Sequence, residues 1–127
     1  MLTLFIFSSR DFDPKKAVDS VPVEDKNVVF LDERRLDDRE ILTEWGGYLM
    51  ADEMLEWRLS RAMEKWFASD FECLKMFKQT RGQDGVSYFQ TPRFFRNRAR
   101  FRQNDLCPSN IGELRCERVL DGMIIDV

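Results

Sequence analysis

Two short apolar runs near the N-terminus constrain the fold more than any other feature of this chain. Residues 2–7 and 27–31 are rich in β-forming side chains and both stop at polar residues, so each is predicted to be a buried strand. Between them, Asp13 followed by Pro14 predicts the start of a short helix, which Pro22 ends. A strand, a helix and a strand favour a right-handed unit with parallel strands. A helix this short also leaves an antiparallel pair open.

The middle of the chain is predicted to be helical. From Tyr48 onward, apolar residues recur at intervals of three and four positions, through Leu55, Leu59, Met63 and Trp66. This spacing is typical of a helix with one buried face. We therefore expect a largely buried helix in this stretch.

Two capping boxes predict further helix starts. Asp37 and Glu40 have the spacing of a box that opens a helix pausing near residues 46–47. Ser69 and Glu72 repeat that spacing ahead of a helix that would end at the glycines after residue 81. Helices are therefore expected on both sides of the buried one.

The C-terminal third is predicted to be β. Residues 86–90 suit a strand that Pro92 interrupts, and Asp121-Gly122 separates two β-rich runs, which is a strong hairpin signal. The predicted fold class is α+β, a small mixed sheet of N-terminal strands and a C-terminal β-hairpin packed against two to three central helices. A chain of 127 residues has room for one core, so residues 1–127 are predicted to form a single compact domain.

The absence of histidine excludes several classes of site. Ser-His-Asp and Cys-His catalysis and histidine metal sites all need that side chain. Cys73, Cys107 and Cys116 are odd in number and lack CxxC spacing, which favours unpaired thiols in a reducing cytoplasm. The apolar N-terminal run is too short to cross a membrane or to act as a signal peptide. We expect a cytoplasmic protein with no cofactor, no metal and no membrane partner.

The segment 93–102 is the part of the sequence that points to a partner. It holds five arginines and three phenylalanines in a chain of net charge −3. The last four arginines alternate with other residues, so a strand would place four guanidinium groups on one face, about 7 Å apart. That separation resembles the phosphate repeat of an extended single-stranded nucleic acid, and exposed phenylalanines would stack on its bases. The predicted binding residues are Arg93, Phe94, Arg96, Arg98, Arg100, Phe101 and Arg102.

The same arginines have possible partners inside the chain. Residues 1–64 carry 15 acids and 9 bases, whereas residues 65–127 carry 8 acids and 11 bases. In this competing interpretation the phenylalanines face the core and the arginines pair with acidic residues, namely Glu40, Glu44, Asp52, Glu53 and Glu56.

The function predicted from these features is a non-enzymatic binding or inhibitory module that acts through surface charge. It would engage a nucleic acid or a nucleic-acid-handling protein complex through residues 93–102. The sequence does not specify the oligomeric state.

An enzyme is the alternative function. If the first two strands are parallel, Asp11 and Asp13 approach Asp32 and Glu33 at one edge of the sheet, where ligands commonly bind. Four carboxylates there would hold Mg²⁺ for phosphoryl transfer or phosphodiester cleavage. The competing interpretation is that Asp13 caps a helix and that the others are solvated loop charges.

Overall fold

One curled β-sheet dominates the computed structural model, which describes residues 1–33, 35–36, 43–58, 61–102 and 105–127. In these residues seven strands form a half-barrel in the order β2-β1-β3-β6-β5-β7-β4, and helix makes up only 12%. The strands are β1 (Leu2–Phe7), β2 (Lys26–Leu31), β3 (Trp45–Met50), β4 (Glu53–Trp57), β5 (Cys73–Gly82), β6 (Gly85–Arg96) and β7 (Cys116–Asp126). The helices are α1 (Lys15–Asp19) and α2 (Ala62–Phe67).

The N-terminal unit has the predicted form. β1 and β2 are parallel, with Leu2 opposite Lys26 and Phe7 opposite Leu31. The helix between them begins where Asp13 and Pro14 predict it, and the backbone N–H of Lys15 donates to Asp13 Oδ1 at 2.9 Å. The parallel arrangement of the first two strands is therefore confirmed, and β3 adds to the other side of β1, also in parallel.

The predicted α+β class, with two to three central helices, is wrong. Residues 45–57 form two strands, and the helix that follows them is only six residues long. β3 lies between β1 and β6 and is buried from Trp45 to Leu49, so it shows no alternation of apolar and polar residues. The residues with helical spacing belong to different elements: Tyr48 lies in β3, Leu55 in β4, and Met63 and Trp66 in α2.

The helix predicted after Ser69 and Glu72 is also a strand. In β5 the buried positions alternate as Leu74, Met76 and Lys78, which is a period of two. A buried lysine hid this alternation in the sequence. The capping box at Asp37 and Glu40 lies outside the described residues.

The predicted C-terminal hairpin is replaced by one continuous strand. β7 pairs with β5 in parallel and with β4 antiparallel, and its register against β5 shifts between Arg118 and Met123. Gly122 lies in this irregular stretch, where an added Cβ would come within 2.5 Å of Trp57 Cε3. The Asp-Gly pair therefore allows a close approach between strands and does not form a turn. The strand predicted at 86–90 does exist, as part of the longer β6.

The curled sheet has a hydrophobic core on each face. One core contains Phe94 with residues of β1 and β5, and the side chains of α1 and α2 pack on it. The other contains Phe95, and it is covered by the connection from β6 to β7, including Ala99 and Leu114. The arginine segment therefore begins within the sheet and ends in the connection that covers one of its faces.

Candidate functional site

The arginine segment does not form the predicted four-arginine strand. β6 ends at Arg96, residues 97–98 form a turn, and residues 99–102 have no regular structure. The alternation of arginines therefore does not place them on one strand face. The turn at Asn97 instead divides the segment into residues 93–96, which belong to the sheet, and residues 98–102.

Arg93 is part of a buried ion network. Its side chain donates to both carboxylate oxygens of Glu53, at 2.7 and 2.9 Å, and its guanidinium lies 4.5 Å from the centre of the Tyr48 ring. Lys78 Nζ donates to the same carboxylate at 2.8 Å and to Asp126 at 2.6 Å. Arg93, Glu53 and Lys78 are all less than a tenth exposed. Arg93 thus stabilises the interior, in agreement with the internal-pairing interpretation.

The network controls the ionisation of its buried members. Burial by itself raises the pKa of Glu53, but the hydrogen bonds and charges of Arg93 and Lys78 outweigh it and lower that pKa to about 2. Burial by itself lowers the pKa of Lys78, and the carboxylates of Asp126 and Glu53 reverse this and raise it. Both side chains are therefore held in their charged forms.

The two phenylalanines of the first half are core residues. Phe94 and Phe95 have no exposed surface and point to opposite faces of the sheet, one into each core. Phe94 packs against the Phe67 ring at a centroid distance of 5.8 Å. The structure places Phe94, a predicted binding residue, where a base would have no access to its ring.

Arg96 anchors the segment that follows α2. Its side chain donates to the carbonyl oxygens of Phe71, Ser69 and Phe67, pairs with Glu44, and lies over the Trp45 ring at 4.6 Å. These contacts tie the C-terminal end of α2 to β6. Arg96 is one-fifth exposed, so most of its hydrogen-bonding capacity is used within the fold.

Arg98 is the first arginine of the segment that projects into solvent. It is 58% exposed, and its Nη1 donates to both carboxylate oxygens of Glu72 at 3.0 Å. The backbone N–H of Arg115 and then the Arg98 side chain lower the pKa of Glu72 from its ordinary value. This arrangement shows that Arg98 already binds a carboxylate within the fold.

Residues 98–102 form a loop whose backbone is held by two side chains. Asn110 donates to the carbonyl of Arg98 and accepts from the N–H of Arg100, and the Ser109 N–H and hydroxyl both donate to the Arg100 carbonyl. Arg98, Arg100 and Arg102 are exposed. Phe101 is half-buried, with its ring 5.2 Å from that of Phe95. We call residues 98–102 the arginine loop.

The acidic residues of the alternative enzyme prediction do not form a metal site in the part of the chain that the structure describes. Asp32 accepts a hydrogen bond from Ser8 at 2.9 Å, and Asp13 caps the first turn of α1. Within the described ranges, no group of three or more acidic or cysteine side chains is placed to hold a metal ion. The predicted convergence of Asp11, Asp13, Asp32 and Glu33 on one ion is therefore not observed.

The outer part of the β5–β6 hairpin was not identified as a site from the sequence. Residues 81–90 are all exposed, and they include Val86, Tyr88 and Phe89. The signal in the sequence is the uncharged stretch 85–92, whose β-forming residues predict a strand but not its exposure. Its exposure depends on strand order, which local patterns do not define.

No protein-family model matches the sequence, and no curated protein matches it significantly. Among the described residues, no helix has the length and apolar character needed to cross a membrane.

Proposed function

We propose that this protein is a non-enzymatic binding module that engages an anionic partner through the arginine loop. The observation that supports this proposal is the difference between the two halves of the arginine segment. Arg93 is buried and Arg96 is one-fifth exposed, whereas Arg98, Arg100 and Arg102 are exposed on a loop with a hydrogen-bonded backbone. Within the fold, Arg98 pairs with Glu72, and Arg100 Nη1 donates to the carbonyls of residues 97 and 99. A backbone held in place reduces the entropy that binding must remove.

The first candidate partner is a single-stranded nucleic acid. Three exposed guanidinium groups within five residues suit successive phosphates, because each forms charge-assisted hydrogen bonds to phosphate oxygens. The partly exposed edge of Phe101 adds a surface for a base. Binding through three arginines without base recognition is expected to be weak, with a dissociation constant on the order of 10⁻⁴–10⁻⁶ M.

An acidic surface of a nucleic-acid-handling protein is the second candidate, and one specific contact favours it. Arg98 binds the Glu72 carboxylate within the fold, so the arginine loop accepts carboxylates as well as phosphates. Exchange of Glu72 for an acidic residue of a partner would conserve that contact.

Fluorescence anisotropy with a labelled single-stranded oligonucleotide tests the first candidate. We expect binding at low salt with a log–log salt slope of about −2, the value for three contacts to a single strand. Changing Arg98, Arg100 and Arg102 together to Gln should abolish that slope. Changing Arg10, Lys15 and Lys16 to Gln removes the same charge from another exposed site and is the matched control. Equal affinity of both triple variants, or no binding at low salt, would refute the nucleic-acid proposal.

Capture from nuclease-treated host extract tests the second candidate. A partner protein should be retained by the wild type and by the matched control, and it should be lost with the arginine-loop variant. If both triple variants still retain the partner protein, the arginine loop is not the binding surface.

The proposed location is the cytoplasm. Its support is the state of Cys73, Cys107 and Cys116, none of which forms a disulfide. A reducing compartment keeps such thiols reduced.

A further inference from the structure

The outer part of the β5–β6 hairpin extends beyond the rest of the sheet. β5 pairs with β7 only as far as Lys78, and β6 pairs with β3 only from Phe94. Residues 79–82 and 85–88 therefore pair only with each other in the part of the chain that the structure describes. We call residues 79–90 the arm; its four outermost residue pairs span about 13 Å at 3.3 Å per residue.

The arm is ordered and carries an unusual apolar surface. Cross-strand hydrogen bonds join Thr80 to Ser87 at 2.7 Å and Gln79 to Tyr88 at 3.2 Å. Val86, Tyr88 and Phe89 are 51%, 55% and 50% exposed. Val86 and Tyr88 lie on one face of the strand and Phe89 on the other, so both faces of the arm carry half-exposed apolar side chains of the kind that another molecule covers.

The open edge of β6 lacks the charges that normally protect an edge. Residues 85–92 contain no Asp, Glu, Lys or Arg, in a chain of which 34% is charged. The outer strand β4 carries exposed Glu56, and the outer strand β2 begins with Lys26, which five uncharged residues follow. Charged residues on an edge strand disfavour pairing with another strand, so the eight uncharged residues of β6 are the longest edge open to pairing among these strands.

We propose that the arm forms a homodimer in which the open edge of β6 pairs antiparallel with the β6 edge of a second copy. Such a pair has a twofold axis, so the residue on the axis faces its own copy and the residues beside the axis lie diagonally across from theirs, about 7–8 Å away. A charge on or beside the axis would therefore be close to the same charge, which is destabilising. The absence of charge from 85 to 92 meets this condition. A different partner would impose no such restriction and would commonly use charge to align itself.

The centre of the uncharged stretch sets the register. When the twofold axis passes through Tyr88, the Tyr88 ring faces Tyr88 of the partner subunit. In the same register Val86 faces Gln90 of the partner subunit. Aromatic cross-strand pairs of this kind stabilise antiparallel sheets. The other edge of the arm, on β5, carries exposed Arg81 and is disfavoured for self-pairing. This homodimer is separate from the arginine loop and does not depend on the proposed function.

Sedimentation equilibrium of the full 127-residue chain tests the proposal. The wild type should form a reversible dimer with a dissociation constant on the order of 1–100 μM, because the arm offers a small interface. Tyr88→Lys and Tyr88→Glu should each weaken the dimer roughly tenfold or more, since each places two like charges about 5 Å apart across the axis. An equimolar mixture of the two variants should restore association through opposite charges.

Two controls make the result specific. Phe30→Lys introduces the same charge at an exposed aromatic residue outside the arm and should leave the dimer unchanged. Thermal unfolding checks that the Tyr88 variants remain folded, as expected for an exposed side chain. A wild type that stays monomeric at about 0.5 mM would overturn the homodimer. A dimer insensitive to both Tyr88 variants, or a mixture that fails to associate, would overturn the twofold pairing at β6.

Discussion

Replacing Arg93 by Met tests whether the first half of the arginine segment is structural. The substitution keeps an unbranched apolar stem but removes the guanidinium that bonds both oxygens of Glu53 at 2.7 and 2.9 Å. Glu53 would then keep Lys78 at 2.8 Å and the Met50 N–H at 2.9 Å as hydrogen-bond donors. The Glu53 carboxylate would remain buried and would keep only one of its two cationic partners.

The expected loss of stability is about 3 kcal/mol. Removing one partner of a buried ion pair costs about 3–5 kcal/mol, and the remaining bond to Lys78 places Arg93→Met at the lower end. The pKa of Glu53 agrees in direction, because Arg93, Lys78 and the Met50 N–H together outweigh burial and lower it from 4.5 to about 2.

Urea unfolding followed by tryptophan fluorescence measures this loss. Arg98→Met is the matched control, because its ion pair with Glu72 is exposed and should be worth less than about 1 kcal/mol. Combining Arg93→Met with Glu53→Gln should cost at least about 1 kcal/mol less than the two single changes added together. Two results would contradict a structural role for Arg93: a loss under about 1 kcal/mol for Arg93→Met, or a double variant whose loss equals the sum of the two single losses.

Three further predictions follow from the interior. The pKa of Glu53 is lower in the folded than in the unfolded protein, so the ionised carboxylate contributes to the free energy of unfolding above pH 4.5. This contribution is lost as the pH falls toward 2. Acid unfolding should show the loss in the wild type and lack it in Glu53→Gln. Gly47→Ala places a Cβ within 2.3 Å of Phe94 Cδ1 and should cost about 1–3 kcal/mol in urea unfolding, whereas a cost near zero would contradict the close packing of β3 and β6. Burial first, and then the neighbouring Cys116 thiol, raise the pKa of Cys73, so a thiol reagent should modify it only as the protein unfolds; rapid labelling of native Cys73 would contradict this.

The elements that could be predicted from the sequence are those with strong local signals. β1, α1 and β2 each have their own composition and boundary residues, and Asp13-Pro14 marks the start of the helix. β3 could not be predicted because cover on both of its faces removes the alternation that identifies a strand.

Long-range contacts explain the remaining errors. Arg93 and Glu53 are 40 residues apart, and only the strand order brings them together. Glu44 and Glu53 are both possible acidic partners in the sequence, but composition does not reveal that Glu44 pairs with Arg96 and Glu53 with Arg93. The period-two pattern of the arginines was real in the sequence, and the turn at Asn97 interrupts it in the structure. The exposure of the arm follows from the places where β3 and β7 stop pairing, which no local pattern specifies.

The turn at Asn97 divides the arginine segment into a half that is built into the sheet and a half that faces solvent. The free energy of unfolding of five single Arg→Gln variants measures this difference. We expect losses of about 2 kcal/mol or more for Arg93→Gln and Arg96→Gln, and of less than about 1 kcal/mol at positions 98, 100 and 102. Equal losses at all five positions, or larger losses in the arginine loop than in β6, would show that the turn does not separate the arginines in this way.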